Sequence, residues 1–310
     1  MALGDPRWLP HPVRGIGRFA ASLEMPFRRS LKDPEAAGIA VFSAVLLSTF
    51  LAAFALIRCT RWLNPSAADG ISILLLYFCL AARDLVGHGA HVYRALEKGD
   101  LAEARKKVAR IVGRDTDRLE EPGVVRAAVE SVAENIVDGI TAPLFYAVLF
   151  GPLGAVTYRA VNTLDSLFGY RNERYIAFGR ISARADDAAN FLPARVTGLL
   201  VPVAAFFLGF KASDSLRIFL RDRHKHPSPN SGHTEAAVAG ALGVQLGGLN
   251  YYDGRPSMKP LLGDSAVPPD PHHIRQANAL ALAVSGLAVA FFLGARFLIG
   301  AWWGQGGGVA

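Results

Sequence analysis

Three stretches of twenty residues contain no Asp, Glu, Lys or Arg: 38–57, 139–158 and 276–295. A helix rises about 1.5 Å per residue, so about twenty apolar residues span a hydrocarbon core about 30 Å thick. The alternative is one large soluble helical core, which would have to bury all three runs at once. Two shorter uncharged runs, 70–82 and 196–210, fit tilted spans with polar ends or helices packed against the others. The pattern predicts an all-α, polytopic integral membrane protein with about 4–5 membrane helices, some short or re-entrant. Residues 1–303 are expected to form one membrane-embedded helical domain, and 304–310 a disordered Gly-rich tail.

Composition agrees, with 51% hydrophobic and 19% charged residues against about 25% charged in soluble domains. The net charge of +7 raises nucleic acid as a partner, but its distribution points to topology instead. If all five runs cross, residues 1–37, 83–138 and 211–275 share one face and hold 24 of the 33 Lys and Arg. Lys and Arg mark the cytoplasmic side of short loops, so that face is assigned to the cytoplasm and nucleic acid is set aside. Asp5, Arg7 and Trp8 stand where a signal peptide needs an apolar stretch. Cys59 and Cys79 form no Cys-x-x-Cys pair and point to neither a disulfide framework nor a zinc site.

Five crossings would put 159–195 outside, although it carries the polar residues Asp165, Arg180, Arg184, Asp186, Asp187 and Asn190. Pro143 and the Gly151-Pro152-x-Gly154 break divide the run 139–158 into halves too short to span. Broken helices are tolerated at membrane depth where protein or a cavity surrounds the freed backbone. The preferred reading is therefore a re-entrant helical hairpin that returns residue 159 to the cytoplasmic side. No alternating strand pattern of useful length and no internal repeat is visible.

Four constellations carry candidate chemistry. Gly4-Asp5-Pro6 precedes His11-Pro12-Val13-Arg14-x-Ile16-Gly17-Arg18, where Arg14 and Arg18 share a helix face as a phosphate or carboxylate clamp. The same pair equally suits a juxtamembrane helix on anionic lipid. Glu130, Glu134 and Asp138 lie within about 80° on one helix face, and oxygen ligands of that kind suit Mg²⁺. The plain alternative is a solvated acidic face, offset by Arg126. Asn162, Asp165, Arg180, Arg184, Asp186, Asp187 and Asn190 resemble a metal–phosphate site, though Arg184 and Asp187 read equally as a surface pair. Finally, the polar turn His224-Lys225-His226-Pro227-Ser228-Pro229-Asn230-Ser231-Gly232-His233 opens an uncharged helix. Ser231 is a good N-cap there, and free N–H groups at such a start attract phosphate. Capping alone does not need Lys225, Asn230 and the extra His residues.

No Gly-x-x-x-x-Gly-Lys-Ser/Thr loop occurs, which excludes a P-loop nucleotide fold. Across nearly the whole chain and in matching order run GDPRWLPHPVRGIGR (4–18), GRDTDRL (113–119), ESVAENIVDGITAPLFY (130–146), NTLDSLFGYRNERY (162–175), FGRISARADDAANFLPAR (178–195) and HPSPNSGHTEAAVAGALGVQLGG (226–248). Together these segments resemble the adenosylcobinamide-phosphate synthase family of cobalamin biosynthesis, the CobD/CbiB type. Members of that family carry an apolar segment ahead of the GDP motif, where only Met1 to Leu3 stand here.

The resemblance implies a bacterial inner-membrane ligase, multi-pass, with its polar motifs on the cytoplasmic face. It would join a propionate carboxylate of adenosylcobyric acid to (R)-1-amino-2-propanol or its O-phosphate, with ATP and Mg²⁺ activating the acid. The expected roles follow from it. Glu134, Asp138, Asp165 and Asp187 would hold Mg²⁺. Arg14, Arg18, Arg180, Arg184 and Lys225, with the helix start at Asn230 and Ser231, would bind phosphates. Glu130 or His226 would be the general base, and Asp138 is expected to be essential to catalysis. Expected partners are the corrinoid, the amine and the bilayer, with self-association or association with other corrinoid enzymes as further expectations. The rival readings are a transporter for a corrinoid or other anionic metabolite, and a subunit that anchors soluble enzymes.

Overall fold

The computed structural model describes residues 11–170 and 172–306, with side chains through Leu298; the GDP motif and the last four residues lie outside them. The helices begin where the chain supplies caps. α1 (Pro12–Ser30), α2 (Pro34–Leu63) and α3 (Pro65–Cys79) each start with a proline, which needs no N–H partner at that position. Ahead of them His11, Asp33 and Asn64 accept hydrogen bonds from Val13 N (3.2 Å), Glu35 N (3.1 Å) and Ala67 N (3.2 Å). There follow α4 (Ala82–Glu97), α5 (Leu101–Val108), α6 (Glu121–Ile136), a π-helical turn (Val137–Thr141), α7 (Ala142–Phe168), α8 (Arg180–Phe207), α9 (Ala212–Asp222) and α10 (Ser231–Leu242). A hairpin of β1 (Leu246–Tyr252) and β2 (Arg255–Leu262) and a last helix, α11 (Pro271–Gly306), complete the chain.

Among the described residues five helical stretches are long and apolar enough to cross a membrane: Pro34–Leu63, Pro65–Glu97, Glu121–Phe168, Arg180–Phe207 and Pro271–Leu298. Each contains all or most of one of the five uncharged runs. The most apolar window of α2 is 17% buried inside the protein, leaving Leu47, Phe50, Leu51, Phe54 and Leu56 exposed. A contiguous apolar surface of that length needs an apolar solvent, and lipid supplies it. The fold is that of a polytopic helical membrane protein.

Where the sequence reading treats 1–303 as one body, the described residues group into two compact units, each built from two chain segments. The first holds residues up to 81 and 142–190. Its core packs Ala20 of α1, Ala37, Val41 and Val45 of α2, and Leu164, Phe168 and Phe178. Arg28 lies 4.1 Å over the Phe178 ring. A Cβ on Gly38 would overlap the Phe178 carbonyl oxygen. Backbone on backbone cannot be relieved by a rotamer, so Gly38→Ala should cost about 1–3 kcal/mol. Thermal unfolding in detergent checks this, and an unchanged midpoint would contradict it.

Within the same unit α7 is two arms that meet at Gly151, whose φ is 67°. Pro152 follows it. Tyr146 and Tyr158 stack with centroids 5.2 Å apart, although twelve residues of straight helix measure about 18 Å. The chain doubles back at the Gly-Pro break, as the division of the run into two halves leads one to expect.

The second unit holds 82–141 and 191 onward. Its hairpin is a difference from the sequence reading, which finds no strand. The cause lies in the residues: β1 reads Leu-Gly-Gly-Leu-Asn-Tyr-Tyr, and most of β2 is exposed, so neither strand alternates cleanly. The turn is nonetheless written in the sequence as Asp253-Gly254, with φ values of 51° and 75°, the pair that a two-residue hairpin turn requires. Asp115 accepts from both turn N–H groups, at 3.2 and 2.7 Å.

Candidate functional site

The hairpin is fastened to α6 by charge. Glu130, 6% exposed, accepts Gly247 N at 2.7 Å on Oε1 and Arg114 Nη2 on Oε2. Arg114 donates its other arm to Asn250 Oδ1. Arg126, one helical turn before Glu130, donates to the Leu249 carbonyl at 2.9 Å. The register of the hairpin sets Gly248, Asn250 and Lys259 on the face toward this cluster, because Gly248 pairs with Lys259 and Asn250 with Ser257.

α10 brings the remaining groups. Ser231 Oγ donates to Glu134 Oε1 at 3.0 Å. One turn on, Glu235 is buried at 3% exposure, and His226 Nε2 lies 3.7 Å from its Oε1. His226 Nδ1 accepts Ser228 N at 3.0 Å, so a neutral ring carries its proton on Nε2, facing Glu235. Burial pushes the Glu235 carboxyl well above the usual carboxylate range, and the charges of Glu130 and Glu134 push the same way. Burial, with Lys259, depresses His226. Lys259 itself is pulled down by burial, but Glu235, Tyr252, Glu130 and Glu134 outweigh that and keep it a cation. The result is a desolvated pair, Glu235 and His226, poised to hold one proton among a fixed cation and two carboxylates.

The first unit holds a separate polar network. Asn162 Nδ2 and Asn190 Nδ2 donate to Asp186, at 3.2 and 2.9 Å. Tyr158 donates to Asn190 at 2.8 Å and Arg159 to Asn162 at 3.3 Å. Asp186, not Asp187, sits at its centre.

The expected site residues therefore divide. Glu130, Glu134, His226 and Ser231 gather in the second unit. Asp138 lies half-buried in the π turn of that unit, whose Thr141 bonds Thr197 at 2.6 Å. Asp165 and Asp187 are half-buried in the first unit, where Arg14, Arg18 and Arg184 are exposed. Arg180 is engaged by Glu35 at 2.7 Å and Lys225 by Asp222 at 2.6 Å. Asn230, not Ser231, stands in the N-cap position of α10, with no side-chain cap bond; its Oδ1 accepts from Arg195 at 3.4 Å. The proposed Mg²⁺ set of Glu134, Asp138, Asp165 and Asp187 is split between the two units. Among the described residues no three His, Cys, Asp or Glu gather to hold a metal. Arg114, Glu235, Asn250 and Lys259 belong to the cluster but were not singled out for chemistry from the sequence.

A helical membrane protein whose charged residues converge beneath a small hairpin is the class that fold and site define. No solved structure gives a significant match. Among curated proteins, the chain is 49% identical over 293 residues to the cobalamin biosynthesis protein CobD of Leptospira interrogans, covering 94% of this chain and 93% of that one. It is 50% identical over 270 residues to a CobD of Geobacter metallireducens (87% and 85% covered). It is 42% identical over 297 residues to a CbiB of Salmonella choleraesuis (95% and 93% covered). The chain belongs to the CobD/Cbib protein family, whose model matches residues 1–281.

Proposed function

We propose that this chain is a cobalamin biosynthesis enzyme of the adenosylcobinamide-phosphate synthase type. It would join the carboxylate of adenosylcobyric acid to aminopropanol or its phosphate through an amide bond, at the cytoplasmic face of a bacterial inner membrane. The observation that carries the reading is the buried Glu235–His226 pair with Lys259, because amide formation must remove a proton from the attacking ammonium. Glu235 Oε1 is the atom that would take that proton, with the Nε2–H of the neutral His226 ring facing it. Lys259 would balance the negative charge that develops on the acyl oxygen. Glu130, with its oxygens committed to Arg114 and Gly247, holds the hairpin over the pair and is better suited to that than to the role of base.

ATP with Mg²⁺ would activate the carboxylate. Mg²⁺ is commonly held by one or two carboxylates plus phosphate oxygens rather than by an all-protein cage. Asp138 and Glu134 suit that role in this unit, and Asp165 and Asp187 are the candidates in the other. Purified protein in nanodiscs, supplied with adenosylcobyric acid, aminopropanol phosphate, ATP and Mg²⁺, should form the amide. Asp138→Asn should form none while inserting and folding normally. Wild-type turnover in that variant would remove Asp138 from the site, and absence of product from wild type would favour the transporter reading.

A further inference from the structure

The turn before α10 and the start of that helix leave one polar side chain unaccounted for. His233 is 2% exposed, and neither of its ring nitrogens has a hydrogen-bond partner. Its surroundings are cationic. The ring stands 5.7 Å from that of His224 and 5.7 Å from that of Phe219. Arg223 lies 5.0 Å over the Phe219 ring and donates to His224 Nε2 at 3.0 Å. Arg195 of α8 reaches Asn230 beside it.

Burial and then Arg195, His224 and Arg223 depress His233 to a pKa of about 4, with a smaller opposing effect of the Pro229 carbonyl. The cations among these groups are Arg195 and Arg223. The nearby Asp222 does not offset them, because it is occupied by Arg221, Lys225 and Gly263 N. Ser228 Oγ already accepts the N–H groups of Asn230 and Ser231, so an anion here would be bound by side chains rather than by those backbone donors. The place is tightly shaped as well: a Cβ on Gly232 would come 2.5 Å from the Arg223 carbonyl.

We propose that the junction of α8, the end of α9 and the start of α10 binds the phosphoryl group of a phosphomonoester, with Arg195, Arg223, His224 and His233 as its contacts. Two guanidinium groups and the His224 imidazole around the buried His233 ring match an oxyanion in charge and donor number. The assignment to a phosphorylated amine rests on the ligase reading above; phosphate binding itself does not.

Isothermal titration calorimetry of the protein in zwitterionic nanodiscs, with inorganic phosphate as the probe, tests the site. Saturable binding is expected, weakened about tenfold or more by Arg223→Gln and by His233→Phe. Arg217→Gln, which alters an exposed pair elsewhere, should leave it unchanged. Binding should persist in nanodiscs containing phosphatidic acid; its loss there would assign the site to a lipid headgroup and overturn the proposal. No saturable binding to wild type, or wild-type binding in both site variants at unchanged melting temperature, would also overturn it. In the amide assay the same variants should raise KM for aminopropanol phosphate and not for aminopropanol. Phosphate binding without any amide formation would sink the ligase reading and leave this site standing.

Discussion

Glu235→Gln should lower amide formation about a hundredfold or more while leaving the protein folded and inserted. General acid–base groups are worth about 10²–10⁴ in rate, and Gln keeps the shape of the side chain but cannot exchange a proton. His226→Ala should fall in the same range, and the double variant should lose little more, because the two groups act on one proton.

The same substitution has a stability signature of known sign. A carboxyl whose folded pKa is raised contributes stability that is fully present below the unfolded value and is lost as pH rises through the folded one. Burial, reinforced by Glu130 and Glu134, raises Glu235. Wild type should therefore lose stability progressively as pH climbs above the ordinary Glu range. Glu235→Gln should flatten that loss and melt higher than wild type at alkaline pH. Thermal unfolding in detergent across a pH series reads both effects. A variant that is inactive but no more stable than wild type at high pH would place the role of Glu235 in packing instead.

Arg114→Ala is the second large effect expected. It removes the guanidinium from a carboxylate that is 6% exposed and takes from Asn250, one of the inward residues of the hairpin, its Arg114 donor. Breaking a buried ion pair from one side costs about 3–5 kcal/mol, and Arg126 Nε, 4.0 Å from Glu130 Oε1, offsets only part of the charge left behind. The loss should be local to the hairpin, so proteolysis and hydrogen exchange should increase over residues 246–262 before the membrane helices melt. Glu130→Gln on the Arg114→Ala background should recover part of the loss, since the stranded charge is then gone. Equal destabilisation in the single and double variants would show that Arg114 acts through packing alone.

The membrane body was legible because a span is a local property: twenty residues without charge are visible without a partner. The break in α7 was legible for the same reason, through Gly151 and Pro152. The charged site was legible only in part. Glu134, His226 and Ser231 stand in motifs dense with polar residues, and they do meet. Glu235 stands inside the 226–248 segment with nothing local to mark it out, because its chemistry comes from burial, which only the packed chain creates. Lys259 is a lone lysine in a proline-flanked strand that shows no alternation, and the Asp253-Gly254 turn was the signal that would have placed it. Between adjacent Asp186 and Asp187, helix phase decides which one faces Asn162, and 100° of rotation separates them. Arg180 and Lys225 look free in sequence because Glu35 and Asp222, their partners, lie in segments that carry no motif.

The most direct test is a side-by-side assay of purified wild type and Glu235→Gln in nanodiscs, matched for folded fraction, with adenosylcobyric acid, aminopropanol phosphate, ATP and Mg²⁺, and mass detection of the amide. Product from wild type and about a hundredfold less from the variant is the predicted result. Equal product from both would contradict the assignment of the buried carboxyl to proton transfer, and no product from wild type would contradict the ligase itself.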